Sequence, residues 1–331
     1  MFKRQIINKF MKSKIELVYQ TENGKAFRGD SKDIVGTRYL RKDSVDLIVT
    51  SPPFALESPK RYGNETKENY LDWLESFFEG WKYVLKETGS IVIDVGNSYE
   101  KGGPKRSLYI YELALRLGEY FDFCQEFYWF NTAKLPTPAE YVTKNRVRVK
   151  DSVNSVYWFA KDANKAKANN KRVLVEYSEG MKKLLRTQTY NTGKRPSDQS
   201  INKTAFLKDN GGAIPANLIV SSNTNSSDPY LKKCRDNGLT AHPARFPNAL
   251  PDFFIKLCTT RKTDLVFDPF AGSNTSGFVA EKNNRRWVSC DLDQEKRQSG
   301  RYVTMSSFRF DKIKKGPGWN GPKHNKWESW E

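Results

Sequence analysis

Residues 264–293, DLVFDPFAGSNTSGFVAEKNNRRWVSCDLD, leave this chain few folds to choose from. An apolar, β-branched run ends at Asp268. A turn of mostly small residues, Pro269-Phe270-Ala271-Gly272-Ser273-Asn274, opens a helical stretch, and a second apolar run ends at Asp291. Two short buried strands joined through a helix are parallel neighbours, because a tight hairpin cannot connect them. The same kind of run recurs at Val45–Thr50 and Ser90–Val95, beside Asp264–Asp268 and Trp287–Cys290. Helical spacing of apolar residues marks Glu68–Lys86, Leu108–Leu117, Pro251–Cys258 and Thr275–Asn283. Strands alternating with helices predict an α/β sheet covered on both faces. An aromatic pair of runs, Phe123–Phe130 and Ser152–Ala160, is expected to be antiparallel.

The first unit also predicts a ligand. Gly272 lets backbone approach a bound group where a Cβ would collide. The free amides at the following helix start favour negative charge. Asp291 ends the next strand, where nucleotide-binding α/β units place a carboxylate that accepts from ribose hydroxyls. The turn has one glycine in its tight part, so it matches neither the three-glycine dinucleotide fingerprint nor a P-loop. An adenosine-containing cofactor other than a nicotinamide or a triphosphate fits; a helix merely capped after a strand is the plainer alternative.

The strand VDLIVT runs straight into Ser51-Pro52-Pro53-Phe54. Prolines cannot continue a central strand, so the chain stops at the strand's carboxyl end, where open α/β sheets bind ligands. Two prolines stiffen the backbone and remove two N–H donors. The Ser51 hydroxyl and Pro52 carbonyl then form a rigid pair of oxygen acceptors, and Phe54 adds a flat apolar face. Such a pair can hold the two N–H groups of an exocyclic base amine, whose delocalised lone pair makes it a poor nucleophile, in a reactive geometry. A duplex base would have to be flipped out and stacked on Phe54. The alternative is a turn that only ends a strand.

TSPPF resembles the catalytic motif of the amino-methylating DNA methyltransferases, in the serine form typical of N4-cytosine enzymes, and DPFAGSNTSG resembles their cofactor motif. The catalytic motif comes first, as in the beta class. TSPPFAL, FYWFN, KLPTPAEYV, RVKDSVNSVYWF, KDNGGAIPANL and AHPARFP are similar to the PvuII type of modification methylase, over about Gly24 to Phe310. The resemblance implies a Rossmann-like S-adenosylmethionine-dependent sheet in circularly permuted motif order, with an inserted target-recognition region. It implies methyl transfer from S-adenosyl-L-methionine to the N4 amine of a flipped cytosine in double-stranded DNA, within a restriction-modification system. A cognate endonuclease would act on the same site without direct contact. Ser51, Pro52, Pro53 and Phe54 would be catalytic, with Asp94 close by. The cofactor would lie among Asp30, Asp268, Pro269, Phe270, Gly272, Ser273, Asn274 and Asp291, closed over by His242, Pro243 and Phe246. Asp291 stands where a glutamate is common, and either carboxylate can accept both ribose hydroxyls.

Charge adds an independent pointer to a polyanion. Lys and Arg number 56 against 38 Asp and Glu, a net +18. KNRVRVK alternates charge with valine, so a strand there would put Lys144, Arg146, Arg148 and Lys150 on one face towards phosphates. Lys194 and Arg195 join them from the irregular stretch 161–240, whose first part, Lys161 to Arg195, holds ten basic and three acidic residues. The expected organisation is a basic arm (1–14), a catalytic half (15–160), the target-recognition region (161–240), a cofactor half of the same domain (241–310) and a Trp-containing tail (311–331). The loop Leu56–Thr66 could fold over the flipped base.

Four dispersed cysteines and two histidines make a metal site unexpected. No apolar run is long enough to span a bilayer, and the start lacks a signal-peptide pattern, so a cytoplasmic, nucleoid-associated protein is expected. N6-adenine methylation is the nearest rival. A non-catalytic DNA-binding protein that kept the fold is a rival of another class. A cytosine-C5 enzyme needs a cysteine nucleophile in a setting these cysteines lack.

Overall fold

A computed structural model describes residues 15–55, 68–100, 102–190, 206–223, 228–292 and 302–311, with 193–194, 196, 200–202, 204 and 323–324 besides. The chain resolves into two compact units, Asn169–Asn217 and the remainder. In chain order the elements are β1 (Glu16–Gln20), β2 (Gly24–Arg28), β3 (Val45–Thr50), α1 (Tyr70–Glu75), α2 (Phe78–Val84), β4 (Leu85–Val95), α3 (Tyr109–Gly118), β5 (Asp122–Phe130), β6 (Val153–Ala160), α4 (Glu179–Thr187), β7 (Gly193–Lys194), β8 (Ser200–Ile201), β9 (Leu218–Val220), α5 (Pro229–Asp236), α6 (Ala249–Cys258), β10 (Leu265–Asp268), α7 (Thr275–Lys282), β11 (Arg286–Asp291), α8 (Tyr302–Ser306) and β12 (Lys323–His324).

Among the described residues, ten strands form one sheet in the order β12-β1-β2-β11-β10-β3-β4-β6-β5-β9. Its centre, from β2 to β4, is parallel throughout. β3 is buried along its whole length, which is why it reads as an unbroken apolar run. Its neighbours are β10 and β4, both parallel, so the carboxyl ends of β2, β11, β10, β3 and β4 lie along one edge. The aromatic pair is antiparallel as expected, with β6 bonded to both β4 and β5. Leu74, Phe78 and Trp81 of α1 and α2, and Ile110, Leu113 and Leu117 of α3, belong to one core cluster with Ile48, Ile91, Ile93 and Phe267 of the sheet. A side chain buried to this degree contributes about 1.5–3 kcal/mol.

Two expectations change. The single helix over Glu68–Lys86 is two short ones, because the Ser76 hydroxyl turns back to the Trp73 carbonyl and competes with helical continuation. Leu85 is already extended and starts β4. Lys144–Lys150 is not a strand: Asn145 N–H bonds the Glu140 carbonyl at 2.8 Å in a wide helical turn, and Arg146 has φ +55°. Val147 and Val149 are 63% and 88% exposed, so no sheet face draws those valines inward.

The second unit lies inside the 161–240 stretch and is narrower. Lys161 and Lys167 instead bind Asp43, Asp46 and Asp264 of the main unit, and β9 extends its sheet. Within 169–217, Ser178 caps α4 by accepting from Met181 N–H at 3.3 Å, and Val175 bridges Ala213. Tyr190 and Phe206 meet edge to face at 5.5 Å. No residue of α4 is buried.

Candidate active site

Ser51 leaves the carboxyl end of β3 half-buried, followed by buried Pro52. Its hydroxyl donates to Oδ2 of Asp94, at the end of β4, at 3.0 Å. The other carboxylate oxygen accepts from Asn154 Nδ2, also at 3.0 Å. Asp94 is 1% exposed. Burial pushes its carboxyl up to about 6, against the pull of the Asn154 and Ser51 hydrogen bonds and the Lys134 charge. With its proton directed at Asp94, the Ser51 oxygen presents lone pairs elsewhere, as an acceptor must. Phe54 lies over Gly96: a Cβ there would stand 2.3 Å from the ring's Cε2. Gly96 is further fixed by the Tyr109 hydroxyl, which donates to its carbonyl. Neither Asn154 nor Gly96 stands out in the sequence beyond its place beside a strand end.

The neighbouring strand end carries the predicted turn. Thr50 Oγ1 donates to Asp268 Oδ1 at 2.7 Å and so ties the end of β3 to the end of β10. Asp268 also accepts from Ser276 Oγ at 2.6 Å and Phe270 N–H at 3.1 Å. Burial pushes this carboxyl up to about 6 as well, opposed by the same hydroxyls. Asn274, wholly buried at φ +53°, caps α7 through Gly277 N–H at 3.1 Å and accepts Ser289 Oγ at 2.6 Å. Ser273 receives Arg309 on both its carbonyl, at 2.6 Å, and its hydroxyl, at 3.0 Å. Asp268, Ser273 and Asn274 thus have their polar atoms engaged inside the fold and brace the turn. Pro269 is buried, and Phe270 packs on Phe77 at 5.0 Å and Trp73 at 5.5 Å.

The concave side of the turn is built for close approach. Gly272 has φ +48°, and its N–H donates to Asp291 Oδ2 at 2.7 Å, which orients that carboxylate. Gly29 N–H bonds the Asp291 carbonyl at 2.9 Å, bringing the Gly29-Asp30 end of β2 alongside. Asp30 accepts Lys32 N–H at 2.9 Å. The His242 imidazole covers Gly272: a Cβ would meet it at 3.2 Å. The ring stands edge-on to Tyr302 at 4.4 Å, and burial pulls its pKa down, opposed by Asp291. His242 Nδ1 faces the Ala244 carbonyl, so the ring is held by structure. Pro243 is exposed and Phe246 half-buried. Two carboxylates beside a helix start suit a nucleoside-bearing cofactor, with the His242 ring packed against the Gly272 turn.

Lys144, Arg146, Arg148 and Lys150 are exposed. Arg148 lies over the Tyr99 ring at 5.9 Å, and Tyr99 donates to Asp151 at 3.3 Å. Asn97, just past β4, donates to Asp151 at 3.0 Å, so this surface joins the edge that carries Asp94. Lys194 contributes backbone to β7; Arg195, the loop Leu56–Thr66, the arm 1–14 and all of the tail but Asp311, Lys323 and His324 lie outside the described residues. Among the described residues no helix is long and apolar enough to cross a membrane.

The family model of the N6 and N4 DNA methylases matches residues 45–300. The chain is 44% identical over 296 residues to the Type II methyltransferase M.PvuII of Proteus hauseri, covering 88% of this chain and 85% of that one. A solved structure titled PvuII DNA methyltransferase (cytosine-N4-specific) superposes with a TM-score of 0.70 at 38% identity, over 90% of each chain. The DNA adenine methyltransferase YhdJ of Escherichia coli is 25% identical over 81% of this chain and 77% of its own length.

Proposed function

The chain belongs to the N6/N4 DNA methylase family, and on that premise we propose that it transfers a methyl group from S-adenosyl-L-methionine to the N4 amine of a cytosine in duplex DNA. The observation that carries this reading is the joining of two strand ends. Thr50 and Asp268 bind the Ser51-Pro52-Pro53-Phe54 segment to the Gly272 turn along one edge of the sheet.

Asp291, Asp30, Gly272 and Phe270 would hold the cofactor, with His242, Pro243 and Phe246 closing over it. Asp268, Pro269, Ser273 and Asn274 keep the turn in shape beneath it. When bound, S-adenosylmethionine supplies an electrophilic methyl group on a sulfonium. Ser51 Oγ and the Pro52 carbonyl accept the two N–H bonds of the cytosine amine and turn its lone pair outward. Pro53 stiffens the segment, and Phe54 stacks the flipped base. The amine sheds one proton once its nitrogen is alkylated. Ser51 Oγ can take that proton while its own passes to Asp94 Oδ2, 3.0 Å away.

Lys144, Arg146, Arg148 and Lys150, with Lys194 and Arg195, engage phosphates, and the unit 169–217 reads the target sequence. The relative named a Type II methyltransferase supports a place in a restriction-modification pair, on chromosomal DNA in the cytoplasm. YhdJ, named for adenine, keeps N6 transfer as the second reading. Expression in a host without amino methylation, with modified bases mapped by long-read sequencing, decides between them. N4-methylcytosine at one short site is expected. N6-methyladenine would establish the second reading, and unmodified DNA with a folded, cofactor-binding protein would leave a non-catalytic binder.

A further inference from the structure

We infer that Asn154 is a positioning residue for methyl transfer: by holding Asp94 Oδ1, it sets which way the Ser51 hydroxyl points. The inference rests on the reading of Ser51 as an acceptor for the target amine.

Asp94 is nearly sealed from water, and its two oxygens are divided between two donors. Ser51 donates to Oδ2 and Asn154 Nδ2 to Oδ1, each at 3.0 Å. Asn154 reaches it because β6 runs antiparallel to β4, with Asp94 opposite Val156, so the start of β6 meets the end of β4. Among the described residues, the Lys134 charge, from the segment after β5, and the uncharged Tyr109 hydroxyl of α3 also reach this carboxylate.

The amide's effect is one of polarity. An ionised Asp94 can only accept, so the Ser51 hydroxyl must donate to it and offer its lone pairs to the base. A protonated Asp94 would donate to Ser51 instead. The hydroxyl hydrogen would then turn towards the incoming amine, donor against donor. A neutral Asp94 could not receive the Ser51 proton either. Asn154 favours the ionised form, since a hydrogen bond to a charged group stabilises it against the cost of burial. An asparagine suits this place better than a lysine, because it donates without adding a charge that would hold the product proton off.

Single-turnover methylation of duplex DNA across pH tests this, with cofactor affinity measured separately. In Asn154→Leu, which removes the donor and keeps water out, the acid limb of the rate should move up by about one unit or more. The loss should be about threefold or more near pH 6.5 and close at alkaline pH, with cofactor affinity unchanged. Asn154→Gln should keep the wild-type limb. Asn154→Asp, near-isosteric, carries the same prediction if the leucine variant does not fold, because a second carboxylate also disfavours ionised Asp94. A limb that stays in place in the variant that folds, whatever the rate, overturns the inference. Ser51→Ala serves as the control on the underlying reading. If it keeps full activity, the role of Ser51 fails; if it is inactive while the limb stays put, only the role of Asn154 fails.

Discussion

Replacing Asp94 by Asn should make the protein more stable and a poorer catalyst. The carboxyl is 1% exposed and is pushed from 3.8 up to about 6, chiefly by burial. A rise of about two units corresponds to about 3 kcal/mol at about 1.4 kcal/mol per unit. The folded state therefore holds this proton more tightly than the unfolded chain does. The group's contribution to stability is complete below the unfolded pKa near 3.8 and is lost as pH rises through about 6. At pH 8 the wild type carries the full cost of a buried charge. An amide has the same shape and no charge. Its oxygen can accept from Ser51 Oγ, and its NH₂ can donate to Asn154 if that amide turns over. Urea unfolding should show Asp94→Asn more stable by up to about 3 kcal/mol at about pH 8, with the gap shrinking towards about pH 4. Single-turnover methylation should fall about tenfold or more, because the amide keeps only a neutral hydrogen bond to Ser51 and cannot take up its proton. A variant less stable than wild type at pH 8, or a gap that does not change with pH, would refute the reasoning.

Gly272→Ala places a Cβ 3.2 Å from the His242 ring at φ +48°, so cofactor affinity by calorimetry should drop about tenfold or more; unchanged affinity would show that the turn does not cradle the cofactor. Gly96→Ala drives a Cβ into Phe54, and the rate of transfer should fall about tenfold or more with cofactor binding retained; an unaltered rate would remove the Phe54 platform from the chemistry. Changing Lys144, Arg146, Arg148 and Lys150 to Gln should weaken binding to specific and nonspecific duplexes alike. The salt dependence should flatten by about 0.9 in log–log slope per lost phosphate contact. A slope equal to wild type would place the DNA elsewhere.

Much of this architecture is legible in the chain because buried parallel strands leave a local mark. VDLIVT, SIVIDV and DLVFD are short β-branched runs closed by turn residues, and each appears as a strand within one residue or as part of a longer one. The turn at Gly272 is equally local, since its function needs small residues in sequence. Contacts set by register leave no such mark. Asn154 meets Asp94 across 60 residues only because β6 pairs with β4 in one antiparallel alignment. Arg309 reaches Ser273 from 36 residues away, which no motif spacing discloses. Alternation left a strand open at Lys144–Lys150, and none forms there, because a period of two has structural meaning only where a neighbour takes up the backbone hydrogen bonds.

The most direct measurement is the structure of the protein bound to duplex DNA carrying its target site, with a cofactor analogue that cannot transfer its methyl group. The cytosine amine should lie outside the helix stack within about 3.2 Å of both Ser51 Oγ and the Pro52 carbonyl oxygen. Its ring should lie on Phe54, with the adenosine of the analogue against Gly272 and Asp291. A flipped base whose amine is bound by other groups, with Ser51 and Pro52 facing away from it, would contradict the assignment at its root.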